Sequence, residues 1–115
     1  MSRIKEISAI DLSDLIASNH SFEIIDIRTP AEIERGVIPN AKTLPLRMIP
    51  LKLGFFSQVD RQIVLYCRTG SRSAQACRFL NQQGIYNVIN LRGGIVKWTG
   101  CGLPLVAQPD AAICR

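Results

Sequence analysis

The chain is predicted to fold as one α/β domain with a mostly parallel sheet. Apolar segments with the character of buried strands alternate with segments that begin on helix-start signals, the order typical of strand–helix–strand units. The clearest strands, 23–27 and 62–66, are almost continuously apolar, as expected of strands covered on both faces of a parallel sheet. A length of 115 residues, with 47% hydrophobic and 20% charged side chains, fits one ordinary globular domain.

Each element is predicted from its own local signal. Thr29, Pro30 and Glu32 combine an N-cap, a first-turn proline and a capping-box acid, so a helix is predicted directly after the strand 23–27. Strands are predicted at 4–7, 23–27, 42–44, 62–66 and 88–91. Helices are predicted from Ser8, from Thr29, over 74–83 and around 96–99, with an irregular helical connection over 46–57.

Basic residues are concentrated in the second half of the chain. Residues 1–57 carry seven basic and seven acidic side chains, whereas 58–115 carry seven basic and two acidic ones, which accounts for the whole net charge of +5. Between Arg61 and Lys97 there are six basic residues and no acidic one. This asymmetry predicts a region that faces an anion. Nucleic acid is disfavoured as that anion, because the basic side chains are spread over a loop, a helix and turns without interleaved aromatic residues.

The sequence argues against several other classes of protein. No apolar run approaches the roughly 20 residues of a membrane-spanning helix. The first residues lack the apolar core of a signal peptide, so a cytoplasmic location and no membrane partner are predicted. The four cysteines form no C-x-x-C pair and the single histidine, His20, is far from all of them, so neither a metal nor another cofactor is predicted.

The strongest chemical signal is Cys67, which begins the segment 67–73 directly after a buried strand. Ligands of open α/β sheets bind at the carboxyl ends of the strands, where this thiol lies. Gly70 permits a tight turn in which successive N–H groups can bind an anion below the next helix. These donors and the guanidinium groups of Arg68 and Arg72 favour a nucleophilic thiolate. The predicted substrate-binding residues are Arg68, Thr69, Gly70, Ser71, Arg72 and Ser73.

The other cysteines are not predicted to act as nucleophiles. Cys77 lies among apolar residues of the predicted helix 74–83 and is expected in the core. Cys101 follows the last predicted helix and is interpreted as a spectator thiol, with a resolving thiol as the alternative. Cys114 is expected to be exposed near the end of the chain.

Four stretches, within roughly 4–105, resemble the rhodanese (thiosulfate sulfurtransferase-like) family in its single-domain form. They are 26–32, which matches the signature D-x-R-x-x-x-E; 36–41, where the family reads G-H-I-P-G-A; the loop 67–73; and 91–98, which contains a G-G-x-x-x-W pattern. Val37 and Asn40 depart from the second of these patterns. Neither position supplies the nucleophile, so the departures put local packing in question rather than chemistry.

The resemblance implies a three-layer fold with a five-stranded sheet in the order 3-2-4-5-1 and helices on both faces. It implies a rhodanese-like domain over 1–105 and a tail over 106–115. Asp26 and Arg28 would support the site. Asp26 is able to pair with an arginine of the loop, and Arg28 to pair with Glu32 or line the same crevice.

The resemblance also implies a reaction. The Cys67 thiolate would take a sulfane sulfur from thiosulfate or a persulfide and pass it to a thiol or to cyanide, with ping-pong kinetics. A sulfur-carrier or interaction module, which receives its sulfur from the persulfide of a partner protein, is an alternative function. A Cys-loop phosphatase or arsenate reductase is a second rival. Its loop has five residues between cysteine and arginine, whereas four separate Cys67 from Arg72.

Overall fold

A computed structural model describes residues 3–18 and 20–107. Five parallel strands form one sheet in the order β1-β5-β4-β2-β3. Read from the β3 edge, this is the predicted order 3-2-4-5-1, which is confirmed. The strands are β1 (Lys5–Ile7), β2 (Glu23–Asp26), β3 (Ala41–Thr43), β4 (Ile63–Tyr66) and β5 (Val88–Leu91). The central strands β2 and β4 are in register from Glu23 opposite Ile63 to Asp26 opposite Tyr66, so their carboxyl ends lie side by side.

Helices cover both faces of the sheet, as predicted. They are α1 (Ala9–Ala17), α2 (Pro30–Ile33), a 3-10 helix (Leu46–Lys52), α3 (Leu53–Gln58), α4 (Ser71–Gln82) and α5 (Gly94–Gly100). The Ser8 side chain caps α1 by accepting the Asp11 N–H at 3.1 Å. Thr29 and Glu32 form the predicted capping box at the start of α2.

The core is divided by the sheet into two apolar clusters. One includes Leu65 of β4 with side chains of α3, α4 and the 3-10 helix. The other includes Val64 of β4 with side chains of α1, α2 and α5, among them the fully buried Leu12 and the almost fully buried Trp98. Because successive strand residues face opposite clusters, both must be apolar, which explains the continuous apolar runs.

Several element boundaries differ from the prediction, by up to three residues. Helix α4 begins at Ser71 rather than at 74, so the last three residues of the predicted loop form its first turn. Gly70, with a φ of +100°, serves as the N-cap and turns the chain directly into the helix. Strand β3 ends at Thr43, one residue earlier than predicted, and the N–H of the next residue, Leu44, is donated to the Asp26 carbonyl.

The two departures from the family pattern are accommodated locally. Val37 is fully buried and forms an antiparallel bridge with Val106, with both N–H···O distances at 2.8 Å. Asn40 has a φ of +72°, a left-handed conformation that asparagine tolerates better than other side chains. The bridge attaches the chain as far as Val106 to the domain. The boundary between 1–105 and 106–115 stays a prediction, and Cys114 lies outside the described residues.

None of the helices in the described part of the chain is both long and apolar enough to cross a membrane.

Candidate active site

Cys67 follows β4 at the carboxyl edge of the sheet, and its side chain is fully buried. The Sγ atom receives the Gly70 N–H at 3.1 Å and the Ser73 N–H at 3.4 Å, and it lies 3.4 Å from the Ser73 hydroxyl. The four-residue loop 67–70 thus curls back so that its own backbone surrounds the sulfur.

The sulfur takes the place of a helix cap. The N-cap Gly70 has no side chain to satisfy the first free N–H groups of α4, and the Cys67 Sγ accepts the N–H of Ser73, the third residue of the helix. The positive end of the α4 dipole therefore points at the sulfur. A negative charge on Cys67 is stabilised by the same N–H groups that would otherwise be unpaired.

Two opposing effects determine the acidity of Cys67. Burial raises the pKa of the thiol, whereas hydrogen-bond donors at the sulfur lower it: the Ser73 hydroxyl when its proton is turned to the sulfur, and the backbone N–H groups of Ser73, Gly70 and Thr69. The donors prevail, so the pKa of Cys67 lies below its usual value. Thr69 itself is exposed and acts here only through its backbone.

The turn at Gly93 and Gly94 supports the loop from behind. Gly94 has a φ of +58°, and a Cβ there would lie 2.4 Å from the Arg68 carbonyl oxygen and 2.6 Å from that of Cys67. The first N–H groups of α5 meet the same two carbonyls, because Ile95 donates to Cys67 and Val96 donates to Arg68, each at 3.0 Å. Only glycine allows α5 to approach the loop this closely.

Asp26 and Arg28 bind each other rather than the loop. The fully buried Asp26 carboxylate accepts Arg28 Nη2 at 2.7 Å and the Arg28 backbone N–H at 2.9 Å. Arg28 Nη2 also donates to the Gly36 carbonyl at 2.7 Å, and its guanidinium lies 5.8 Å from the centre of the Tyr66 ring. The two predicted pairings, Asp26 with a loop arginine and Arg28 with Glu32, are therefore wrong. A two-residue separation at the strand end lets the arginine fold back onto its neighbour, satisfying both buried charges locally.

Glu32 instead binds Arg72, and this pair was missed from the sequence. Arg72 donates through both terminal nitrogens, at 3.2 Å and 3.1 Å, to the two carboxylate oxygens. Arg72 and then the Thr29 cap hold the pKa of Glu32 at about 2, against a smaller opposing effect of burial. The capping box was the available signal, because it fixes the Glu32 side chain at the end of α2 that faces α4.

A second interaction missed from the sequence lies on the other side of Ser73. The Ser73 hydroxyl donates to Oδ1 of the buried Asn90 in β5, and Asn90 Nδ2 donates to Glu6 Oε2 in β1 at 2.9 Å. A lone asparagine in a strand carries no sequence signal for such a role.

The family model of the rhodanese-like domain matches residues 8–101 of the chain. The chain belongs to the rhodanese-like domain family. Relatives of this rhodanese domain include a protein of Allochromatium vinosum named sulfurtransferase, 48% identical over 90% of this chain and 96% of its own length. YtwF of Bacillus subtilis, provisionally named a sulfurtransferase, is 35% identical over 84% of this chain and 92% of its own length. YrkF of Bacillus subtilis, provisionally named a sulfur carrier protein, is 33% identical over 86% of this chain and 53% of its own length.

Solved structures share the rhodanese fold. A rhodanese-related protein of Thermoplasma volcanium superposes with a TM-score of 0.78 at 32% identity, covering 89% of this chain and 97% of its own. A Rhodopseudomonas palustris protein of unknown function, described as a candidate tyrosine phosphatase, superposes with a TM-score of 0.83 at 32% identity. It covers 90% of this chain and 85% of its own.

Two clefts flank the Glu32–Arg72 pair of this rhodanese domain. One, of about 310 Å³, lies between α2 and α5 and contains the side chains of Arg28, Arg35 and Arg68. The other, of about 250 Å³, lies beside the 3-10 helix and contains Arg28, Arg47 and Arg72. Arg68 is exposed in the first cleft and, within 3–18 and 20–107, takes part in no ion pair. The two loop arginines thus face different clefts.

Three of the six basic residues between Arg61 and Lys97 are paired with acids of the first half of the chain. Arg61 binds Glu23, Arg72 binds Glu32, and Arg92 lies 3.5 Å from Glu6. The positive charge left over near the nucleophile is therefore mainly that of Arg68, with Arg35 beside it. Among the described residues, no cluster of three or more histidine, cysteine or acidic side chains has the arrangement of a metal site.

Proposed function

We propose that this domain is a sulfurtransferase that moves a sulfane sulfur from thiosulfate or a persulfide to a thiol or cyanide through a persulfide on Cys67. The observation that carries the proposal is the sulfur's environment: a buried thiol that accepts N–H groups at the start of a helix, with a pKa below the ordinary value. The names of the similar proteins from Allochromatium vinosum and Bacillus subtilis agree with it.

In the first step the Cys67 thiolate attacks the outer sulfur of thiosulfate. A sulfur–sulfur bond forms to Cys67, and the original sulfur–sulfur bond breaks with its electron pair leaving on sulfite. No general base is required for the fraction of Cys67 that is ionised, and the lowered pKa of the thiol increases that fraction. The N–H groups of the loop that stabilise the thiolate then stabilise the persulfide anion.

In the second step the acceptor attacks the outer sulfur of the Cys67 persulfide. Cyanide takes the sulfur as thiocyanate, or a thiolate takes it as a new persulfide, and the electron pair of the broken bond returns to Cys67. The enzyme leaves the cycle as the thiolate that began it, so no cofactor is needed.

The loop supplies the proposed anion site. The N–H groups of 68–73 and the side chains of Ser71 and Arg72 would bind the oxygens of the donor. Arg68 would bind an anionic group of donor or acceptor in the 310 Å³ cleft, where it faces Arg35. Asp26 and Arg28 act as support, since each satisfies the other and holds the corner after β2.

A sulfur carrier that receives its sulfur from a partner protein is the second candidate, favoured by the similarity to YrkF. Its chemistry at Cys67 would be the same, and its donor would be a protein persulfide. We place either activity in the cytoplasm, in keeping with the free thiols of Cys67, Cys77 and Cys101, the cysteines in the described part of the chain. A phosphatase is disfavoured by the short loop, although the similar Rhodopseudomonas palustris protein is described as a candidate one.

The deciding experiment is mass spectrometry of the protein after incubation with thiosulfate. We expect a gain of one sulfur atom on the peptide that contains Cys67, lost again on addition of cyanide, and none in Cys67→Ala. If Cys67 gained a sulfur atom from a protein persulfide but not from thiosulfate, the result would favour the sulfur-carrier function. Turnover of an aryl phosphate without sulfur transfer would overturn the proposal.

A further inference from the structure

A series of polar contacts, buried except at the exposed Glu6, joins the first strand of the sheet to the nucleophile. Asn90 in β5 is 2% exposed and Ser73 is fully buried. Ser73 Oγ is hydrogen-bonded to Asn90 Oδ1, and Asn90 Nδ2 donates to Glu6 Oε2 at 2.9 Å. The contacts therefore run from Glu6 through Asn90 and Ser73 to the Cys67 sulfur, across three strands of the sheet.

The Ser73 hydroxyl has one proton and three acceptors within reach. Besides Asn90 Oδ1, these are the Gly70 carbonyl oxygen at 3.3 Å and Cys67 Sγ at 3.4 Å. A hydroxyl donates a single hydrogen bond, and the contact with Asn90 is the shortest of the three. While the proton is on the Asn90 side, Ser73 presents a lone pair rather than a proton to the sulfur.

Glu6 determines which end of the Asn90 amide faces Ser73. A carboxylate only accepts hydrogen bonds, so the amide NH₂ must point to Glu6 and the amide oxygen to Ser73. Glu6 is itself held by Arg92, whose Nε lies 3.5 Å from Oε1. If the amide were reversed, its NH₂ would donate to the hydroxyl and free the Ser73 proton for Cys67.

We propose that Asn90, oriented by Glu6, is a positioning residue that withholds the Ser73 hydroxyl from the Cys67 thiolate. The sulfur keeps its backbone donors, and the contribution of the hydroxyl is available only when the hydroxyl leaves Asn90. The result is a thiolate that is more basic than a fully donated one. The nucleophilicity of a thiolate falls as its basicity falls. Asn90 therefore lowers the ionised fraction of Cys67 and raises the reactivity of each thiolate.

This inference concerns the thiol alone and does not rest on the identity of the sulfur donor. The charged or titratable groups that face the two ends of the series are Arg72 and Glu32 beside Cys67, and Arg92 and Cys77 beside Glu6. Among the described hydrogen bonds, none joins these four side chains to Asn90. Replacing Asn90 therefore changes the hydroxyl while leaving the surrounding charges in place.

The test is the pH profile of iodoacetamide alkylation in Asn90→Ala, with the Cys67 peptide quantified by mass spectrometry. If the hydrogen bond from the freed Ser73 hydroxyl stabilises the Cys67 thiolate by about 1 kcal/mol, the thiolate fraction at acidic pH rises about fivefold. The same donation lowers the reactivity of each thiolate about twofold, for a Brønsted coefficient of about 0.4–0.5. We expect a variant that reacts about two- to threefold faster on the acidic limb and about twofold slower on the alkaline plateau. A merely loosened fold would accelerate alkylation at every pH.

Three further variants separate a positioning role from a structural one. In a Ser73→Ala background, adding Asn90→Ala should change nothing, because Asn90 acts through the hydroxyl. Asn87 lies just before β5, and Asn87→Ala, which loses two hydrogen bonds to the backbone carbonyls of Val59 and Arg61, should keep the wild-type profile. Asn90→Leu has a similar shape and repeats the test if the alanine variant fails to fold. An unchanged profile, a shift to higher pH, or crossing profiles that persist without the Ser73 hydroxyl would each overturn the proposal.

Discussion

Cys67 and Cys77 lie ten positions apart in the chain, are both fully buried and belong to the same apolar cluster. The pKa values of their thiols are nevertheless shifted in opposite directions. Burial and the Glu6 carboxylate raise the pKa of Cys77 to about 12, against a smaller effect of Arg78. Burial also raises the pKa of Cys67, but the hydrogen-bond donors around its sulfur, among them the backbone N–H groups of Gly70 and Ser73, outweigh it. Burial therefore does not identify the nucleophile, whereas the backbone N–H groups that point at the sulfur do.

The largest expected difference between the two cysteines is in activity. Cys67→Ala should abolish sulfur transfer, because no other described thiol lies in the loop, whereas Cys77→Ala should retain most of it. Thiocyanate release from thiosulfate and cyanide measures both, with Cys101→Ala as a second control that also retains activity. Near-normal turnover in Cys67→Ala would contradict the proposed mechanism.

The donors around Cys67 depend on the approach of α5, so Gly94→Ala should come next in size. The added Cβ would meet two loop carbonyls at 2.4 and 2.6 Å, and we expect a loss of about 2–4 kcal/mol of unfolding free energy with loss of transfer. Gly102→Ala is the matched control. It also has a positive φ, +76°, but meets nothing within 4 Å, so it should cost only about 1 kcal/mol and leave activity intact. Equal effects in the two variants would show that the close approach is unimportant.

The pH dependence of stability should separate the two thiols by their signs. The folded pKa of Cys77 is raised, so its contribution is fully present below the unfolded pKa near 9 and is lost as the pH rises toward about 12. Cys67 has a lowered pKa, so its contribution is present above the unfolded pKa and is lost as the pH falls through the folded one. Urea unfolding between pH 9 and 10 should show a decline of at most about 1.4 kcal/mol that is smaller in Cys77→Ala. An identical decline in the variant would contradict the assignment.

The smallest expected effect tests the charges beside each sulfur. Arg72 and Arg78 lie on the same helix, Arg72 near Cys67 and Arg78 near Cys77. Arg72→Ala should raise the KM for thiosulfate about fivefold, the order of one hydrogen bond with a net contribution of about 1 kcal/mol, whereas Arg78→Ala should leave it near the wild-type value. Steady-state kinetics with varied thiosulfate measures both. Equal changes would make the positive charge a general surface property.

Much of the fold was predictable because its signals are local. The capping box of Thr29 and Glu32 and the apolar runs of β2 and β4 each depend on neighbouring residues. The start of α4 was misplaced because no side-chain cap precedes Ser71, and the cap that replaces it is the sulfur of Cys67. A thiol that serves as nucleophile and helix cap at once has no sequence signature as a cap.

The loop of the site was also predictable, because Cys67, Gly70, Arg72 and Ser73 are contiguous and their types suit one chemistry. Their partners were not. Glu32 reaches Arg72 across 40 positions, and Glu6 reaches Asn90 across 84. The predicted partners of Asp26 and Arg28 were wrong for the same reason, since the choice among several nearby charges depends on side-chain directions in the folded sheet.

The sequence by itself determined the helices and strands, the position of the nucleophilic loop in the chain and the division of charge between the two halves. The tertiary structure decided which charges remain available. The packing of strands and helices brings Glu6, Glu23 and Glu32 of the neutral half against Arg92, Arg61 and Arg72 of the basic half. Pairing at short distance outweighs a net charge spread over the chain, because Coulomb energy falls with separation and with solvent screening. What is left beside the thiolate is a set of N–H donors and the unpaired Arg68, an arrangement suited to a small anion.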